Sequence, residues 1–317
     1  MYYMVVHDDL DGVASAALYC RFKNIALHEV SLIFTSPSEL PKVLNRLHKY
    51  VSKGDVIVIA DLGCNTGTFN ELMRIIPLLR NKNVVIEWYD HHIWEDNWIN
   101  ELRSLGIKLI IDNTTCATGI IARNFNAECN ELMHAVCAAD LWKWDHNLAP
   151  FLYRLAYIYH ERGMLYKLFE KFYKGILIDD EAKTLIEEYI SKEIKGYDEA
   201  LRYTKVFKVN GCNVAVTVKD KGPPSRSHVA HFIIARKNVD VVAIYEIGHG
   251  LSFRSINIDV RRLATALGGG GHPRAAGVKI RIPLHIKLVS LLFKSILLRY
   301  VESIVKKVIE KEGCKCL

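Results

Sequence analysis

Short apolar runs separated by helix-like patterns are the feature that most narrows the folds open to this chain. They lie at residues 2–6 (Tyr-Tyr-Met-Val-Val), 30–34, 56–60, 83–86 and 107–111. Each is close to continuous in apolar character instead of alternating with polar residues, which is the mark of strands covered on both faces. Helical patterns fill the intervals at about residues 12–22, 41–47, 69–79 and 118–125. Such alternation predicts an α/β domain with a mainly parallel sheet and helices on both faces.

Three of these runs end in acidic and imidazole side chains. The first leads into His7-Asp8-Asp9-Leu10-Asp11-Gly12, the third into Asp61, and the fourth into Trp88-Tyr89-Asp90-His91-His92-Ile93. The apolar segment 132–139 ends in Asp140. Strand ends are where open α/β sheets place their sites. In an extended segment alternate side chains point the same way, so His7, Asp9 and Asp11 are expected to converge while Asp8 and Leu10 face elsewhere. A solvated turn also accommodates Asp-His-His, and capping of the next helix by Asp11 accounts for one carboxylate only. Carboxylates and imidazoles gathered in this way can hold a divalent metal.

These motifs, in this order, resemble the DHH phosphoesterase superfamily, which includes RecJ-like exonucleases, oligoribonucleases, cyclic dinucleotide phosphodiesterases and family II pyrophosphatases. The run Gly268-Gly269-Gly270-Gly271-His272-Pro273-Arg274-Ala275-Ala276-Gly277 resembles the signature of the family's C-terminal DHH-associated domain. The resemblance thus spans nearly the whole chain. It implies two divalent ions, manganese first and magnesium second, about 3.5–4 Å apart. By the family pattern His7 and Asp9 bind one ion, Asp11, His91 and Asp140 the other, and Asp61 bridges them. Asp90 orients a histidine and His92 meets the scissile phosphate. Arg254, Gly269, Gly270, Gly271, His272 and Arg274 hold the substrate, with Arg226 and His228 as weaker candidates. One departure leaves the substrate subgroup open: many relatives that cleave small phosphate esters have a longer His-to-Asp spacing with an Asn-Pro pair, whereas this chain has the compact His-x-Asp-x-Asp form.

The domain plan is a catalytic domain over 1–150, a helical connector over 151–203 and a smaller α/β domain over 204–317. Aromatic residues in the connector recur at helical spacing, as core packing requires. In the last part Asn210-Gly211 between two apolar runs is a hairpin signal. A helix at about 227–235, strands near 239–245 and 251–255, a helix around 260–266 and a glycine loop come next. Pro283 then opens one long amphipathic helix, whose apolar content predicts burial against a domain or a homodimer partner. The last eight residues are expected to fray, and Cys314 and Cys316 lack two further ligands for zinc.

With 317 residues the chain is long enough for two substantial cores, and its formal charge of +7 suits an anionic ligand. Eight scattered cysteines predict reduced thiols. The absence of a secretory signal or long apolar span predicts a soluble cytoplasmic protein without a membrane partner. The resulting expectation is metal-dependent hydrolysis of short single-stranded oligonucleotides or dinucleotides to mononucleotides, since no added nucleic-acid-binding domain is visible. A cyclic dinucleotide phosphodiesterase and a RecJ-like exonuclease remain as alternatives, with a pyrophosphatase and a non-catalytic nucleic-acid scaffold behind them.

Overall fold

A computed structural model describes residues 1–317. It divides into two compact units, Met1–Leu185 and Ile186–Leu317.

The first unit alternates as expected: β1 (Tyr2–His7), α1 (Leu10–Phe22), β2 (Val30–Thr35), α2 (Leu40–Leu47), β3 (Val56–Ala60), α3 (Thr66–Asn81), β4 (Val85–Asp90), α4 (Asp96–Ser104), β5 (Lys108–Ile111) and α5 (Ala117–Asn124). Helices α6 (Glu131–Asp140), α7 (Ala149–Glu161) and α8 (Leu165–Tyr173) come after them, and α9 (Asp180–Arg202) runs across the unit boundary. All pairings in the sheet are parallel, in the order β2-β1-β3-β4-β5. Chain direction along the sheet therefore reverses between β1 and β3, and the crevice beyond their carboxyl ends is where such sheets bind ligands.

Continuous apolar strands match this burial: Met4, Val5, Val6, Ile57, Val58, Ile59 and Trp88 are fully enclosed. Each such side chain contributes about 1.5–3 kcal/mol. Small residues dominate α1, whose Leu10–Cys20 stretch is buried and packs against α5, α6 and α8.

Local detail differs from the extended His7-to-Asp11 reading. The strand stops at His7 and Asp9 caps α1 by accepting from the Gly12 N–H at 3.0 Å. A Cβ on Gly12 would lie 2.2 Å from the His7 carbonyl oxygen, so only glycine lets the first helical turn sit this close to the strand end. Asp11 consequently leaves from a helix rather than from an extended segment. Asp140 likewise closes helix α6.

In the second unit β6 (Thr204–Val209) and β7 (Cys212–Lys219) form the expected hairpin, with Asn210 at φ +48° and Gly211 at +83°. Then come α10 (Arg226–Lys237), β8 (Val241–Glu246), β9 (Gly250–Arg254), α11 (Val260–Ala266), β10 (Gly270–Gly271), β11 (Ala275–Val278), α12 (Leu284–Ser290) and α13 (Lys294–Glu312). The mixed sheet runs β10-β11-β9-β8-β7-β6. Helix α13 buries Leu297, Leu298, Val301, Val305, Val308 and Ile309, in the same core as the valines of β7.

Four expectations are corrected by the fold. The glycine loop is a hairpin arm, β10 pairing antiparallel with β11. The long C-terminal helix is broken at residues 291–293, where Leu291 and Leu292 stand 81% and 82% exposed. The tail does not fray: Leu317 N–H donates to the Asn257 carbonyl at 3.0 Å, and Cys316 forms an antiparallel bridge with Ile258. Nor are all thiols reduced, because Cys116 is bonded to Cys137 and Cys212 to Cys314. No helix is long and apolar enough to cross a membrane.

Candidate metal centre

The centre is assembled beyond the carboxyl ends of β1, β3 and β4. His7 ends β1; Asp9 follows in the cap; Asp61 follows β3; Asp90 ends β4 and His91 and His92 follow it. Asp61 takes a left-handed φ of +56°, a conformation that costs a non-glycine residue about 1–2 kcal/mol. Its N–H is held by the Tyr89 carbonyl at 3.1 Å, so the neighbouring strand maintains the turn that aims the carboxylate.

Distances define two adjoining sets. His7 Nδ1 lies 2.8 Å from Asp9 Oδ2 and 3.4 Å from Asp61 Oδ2. His91 Nε2 lies 3.2 Å from Asp61 Oδ1, 3.5 Å from Asp140 Oδ2 and 3.8 Å from Asp11 Oδ2. Asp61 therefore presents one oxygen to each set. His7, Asp9 and Asp61, and likewise Asp11, His91 and Asp140, are close enough to share a cation.

The residues fit a divalent metal on their own evidence. Asp61 Oδ2 and Asp140 Oδ2 are buried without a hydrogen bond, an arrangement that is costly unless a cation completes it. An oxygen-rich set with a few imidazoles suits manganese or magnesium better than a thiolate-preferring ion.

Electrostatics point the same way. Burial alone would lower the His91 pKa, but the charges of Asp140, Asp61 and Asp11 outweigh it and push the imidazole up to about 11. Burial lowers His7 too, and Asp9 and Asp61 carry it well above the usual imidazole range. Asp140 is pushed up to about 7 by burial, with Asp61 and Asp9 adding to the shift against the opposing His91 charge. Asp11 is raised by burial and by the Asp61 and Asp140 charges. The cluster thus favours added positive charge, which protons or a divalent cation can supply.

Asp90 is tied to a different neighbour. Fully buried, it accepts from the Trp94 indole N–H at 2.7 Å and faces His92 Nδ1 at 2.9 Å. Burial would raise its pKa, yet His92 and then His91 hold it below the usual carboxylate value. Its charge in turn pushes His92 up to about 8 against the effect of burial.

Sequence reading missed the residues that brace these groups. Trp94 grips Asp90, while the Ala117 N–H, the Thr118 N–H and the Thr118 hydroxyl converge on Asp11 at 2.8, 2.9 and 2.5 Å. Asp8, read as facing elsewhere, lies 3.5 Å from His7 Nε2 and 3.1 Å from His160 Nε2. Only packing brings these partners together, and no local pattern marks them. Trp94→Phe removes one hydrogen bond to a buried charge and is expected to lower stability by about 1.5–3 kcal/mol. Denaturant unfolding reads that loss, and an unchanged midpoint would contradict the brace.

In the second unit the substrate-contact candidates divide. Arg254 donates to its own strand at Phe253 O (2.9 Å) and to Ser227 Oγ (3.3 Å). Arg226 lies 3.4 Å from Glu246, and its Nη1 donates to Ser252 Oγ at 3.2 Å. The β9 residues Ser252 and Arg254 thus meet Arg226 and Ser227 at the start of α10. His228 is buried beside Glu193. Arg274 donates to the Ile256 carbonyl, and His272 and Ala275 close the hairpin turn by pairing N–H to carbonyl in both directions. A Cβ at Gly269 would meet the Gly277 carbonyl at 2.2 Å and one at Gly271 the Ala275 carbonyl at 2.7 Å. Those two glycines answer to hairpin packing, while Gly270 faces open space.

Known proteins share this fold. Residues 211–296 match the DHHA1 domain model. Among solved structures the chain is similar to a pGpG-specific phosphodiesterase, PggH, of Vibrio cholerae, with 17% identity, TM-score 0.54 and coverage of 94% of this chain and 99% of that one. It is also similar to Thermus thermophilus RecJ in complex with Mn²⁺, with 16% identity and TM-score 0.52 over 95% of this chain, though it spans only 52% of that RecJ. A second RecJ exonuclease, bound to manganese, matches at 16% identity and TM-score 0.52, over 95% of this chain and 90% of that one. No curated protein sequence matches. Ordered His and Asp motifs gathered at one end of a parallel sheet are thus followed by a segment that matches the DHHA1 domain, in a fold similar to those of the PggH phosphodiesterase and RecJ structures.

Proposed function

We propose that the protein is a metal-dependent phosphodiesterase that hydrolyses short oligonucleotides, dinucleotides among them, to mononucleotides. The observation that carries this reading is Asp61, whose two oxygens face the His7–Asp9 set and the His91–Asp11–Asp140 set. Two divalent ions, when bound, supply Lewis-acid polarisation of the phosphate and a water acidified for attack. The chain's own contribution is orientation and charge. Asp61 holds both ligand sets at a fixed separation. Asp90, kept ionised, fixes His92 through Nδ1 and so orients the ring that meets a phosphate oxygen in this reading. The Asp90 charge raises the His92 pKa against burial, which favours a ring that donates to phosphate.

Arg254, Arg274, His272 and Gly270 are the substrate contacts in this reading, acting on phosphate and sugar and leaving base sequence largely unread. The similarity to a protein named for pGpG supports a dinucleotide-sized substrate. Arg254→Ala is expected to raise KM while leaving manganese stoichiometry unchanged. Loss of metal in that variant, by elemental analysis, would place Arg254 in the wrong role.

Substrate length is the deciding test. With manganese, chains of two to about five nucleotides, near the lower end of the ~4–16 that one binding fold covers, should be cut faster than a long single strand at equal ends. Faster, processive digestion of the long strand would move the protein to the RecJ-like exonuclease reading. Preferential opening of a cyclic dinucleotide would move it to that class.

A further inference from the structure

The Cys116–Cys137 bridge lies against the ligand set built on His91. Cys116 is the N-cap of α5, and its sulfur accepts from the Gly119 N–H at 3.4 Å. The next two residues, Ala117 and Thr118, are the ones whose N–H groups hold the Asp11 carboxylate. Cys137 is on α6, one helical turn before Asp140. The bridge therefore fastens the end of α5 that grips Asp11 to the turn of α6 that carries Asp140. Both carboxylates converge on His91 Nε2. Hydrogen bonds alone hold Asp11 to α5, and nothing else covalent ties α5 to α6 except the chain between them.

We infer that this bridge is a redox-sensitive positioning tie for the Asp11–His91–Asp140 set: intact, it preorganises the set for a divalent ion, and reduced, it lets the set loosen. The inference rests on the metal reading of that set. Cys137 is half-buried and Cys116 fully buried, so a dithiol reductant meets the Cys137 sulfur first. One reductant thiolate bonds to Cys137 Sγ, the bridge breaks, and Cys116 leaves as a thiolate favoured by its place at a helix N-terminus and then takes a proton. The reductant's second thiol closes on the first, releasing Cys137 as a thiol. Two electrons and two protons pass from the dithiol, which becomes a cyclic disulfide.

The test is a Mn²⁺ titration of the full chain by calorimetry, after the reductant has been removed under anaerobic conditions. Oxidised wild type, reduced wild type, reoxidised wild type, C116S/C137S and C212S/C314S are compared. Supporting partners of metal ligands are worth about 10–100-fold in affinity, and a loss of that size is expected at one of the two manganese sites on reduction. C116S/C137S should show the same loss whether oxidised or reduced. Reoxidation should restore the wild type, and C212S/C314S should keep its redox response. A bridge that serves only global stability would lower the melting temperature without a site-selective affinity change, and that result overturns the inference. So does equal affinity in oxidised and reduced wild type, or alkylation of Cys116 and Cys137 in protein purified without reductant. Oxidised wild type that binds no manganese would instead sink the metal reading itself.

Discussion

Asp61→Ala is expected to abolish hydrolysis and to empty both ligand sets together. Its Oδ2 faces His7 and its Oδ1 faces His91, so no other carboxylate in the centre is common to the two sets. Loss of a single preorganised electrostatic group in an active site costs about 10²–10³-fold, and a shared ligand should exceed the upper end of that range. The fold is not expected to suffer. In the metal-free protein the Asp61 charge repels Asp11 and Asp140 but attracts His7 and His91, so removing it relieves one interaction while giving up the other, and the two offset. Elemental analysis, circular dichroism and a turnover assay on the same preparation separate these effects. Full activity in that variant, or in wild type with excess chelator, would end the two-metal account.

The scaffold was legible because its signals are local. Continuous apolar runs announced β1, β3 and β4, and the residues directly after them are the ones that meet in the centre. Asn210-Gly211 announced its hairpin for the same reason: the turn needs positive φ at both positions. Asp11 shows where such reading stops. Period-two alternation put it on one face with His7 and Asp9, but Asp9 capped a helix that had already begun at Leu10. Competition between a strand and a cap is settled by packing, here by Gly12 against the His7 carbonyl. Trp94, Thr118 and Glu246 carried no mark at all, since each matters only through a partner chosen by the fold. The cysteines misled because compartment reasoning speaks to the average chain, whereas Cys116 and Cys137, 21 residues apart, are paired by the meeting of two helices. Nothing local in residues 284–293 signalled the break between α12 and α13, because the apolar positions read as a burial pattern although Leu288, Leu291 and Leu292 are exposed.

Manganese affinity is expected to fall as pH drops from 8 to 6, because the ligands of the His91 set are raised in pKa and hold protons that the metal must displace. A ligand must give up its proton before it can coordinate, so protons and metal compete. The His91 imidazole, pushed up to about 11, is protonated throughout this window and loses about one proton for each ion bound. Asp140, pushed up to about 7, is mostly ionised at pH 8 and mostly protonated at pH 6, adding a second proton on the acid side. The logarithm of the affinity should therefore rise with pH throughout the window, and more steeply below pH 7 than above it. The direction follows from the raised values: protonated ligands dominate below the pKa, and metal gains as pH passes upward through it. Calorimetry in two buffers of different ionisation enthalpy counts the protons released at each pH. In Asp140→Asn the additional slope below pH 7 should vanish while the His91 contribution stays. An affinity that is flat between pH 6 and 8 would mean that His91 and Asp140 are not ligands competing with protons, and the assignment of that set would fall with it.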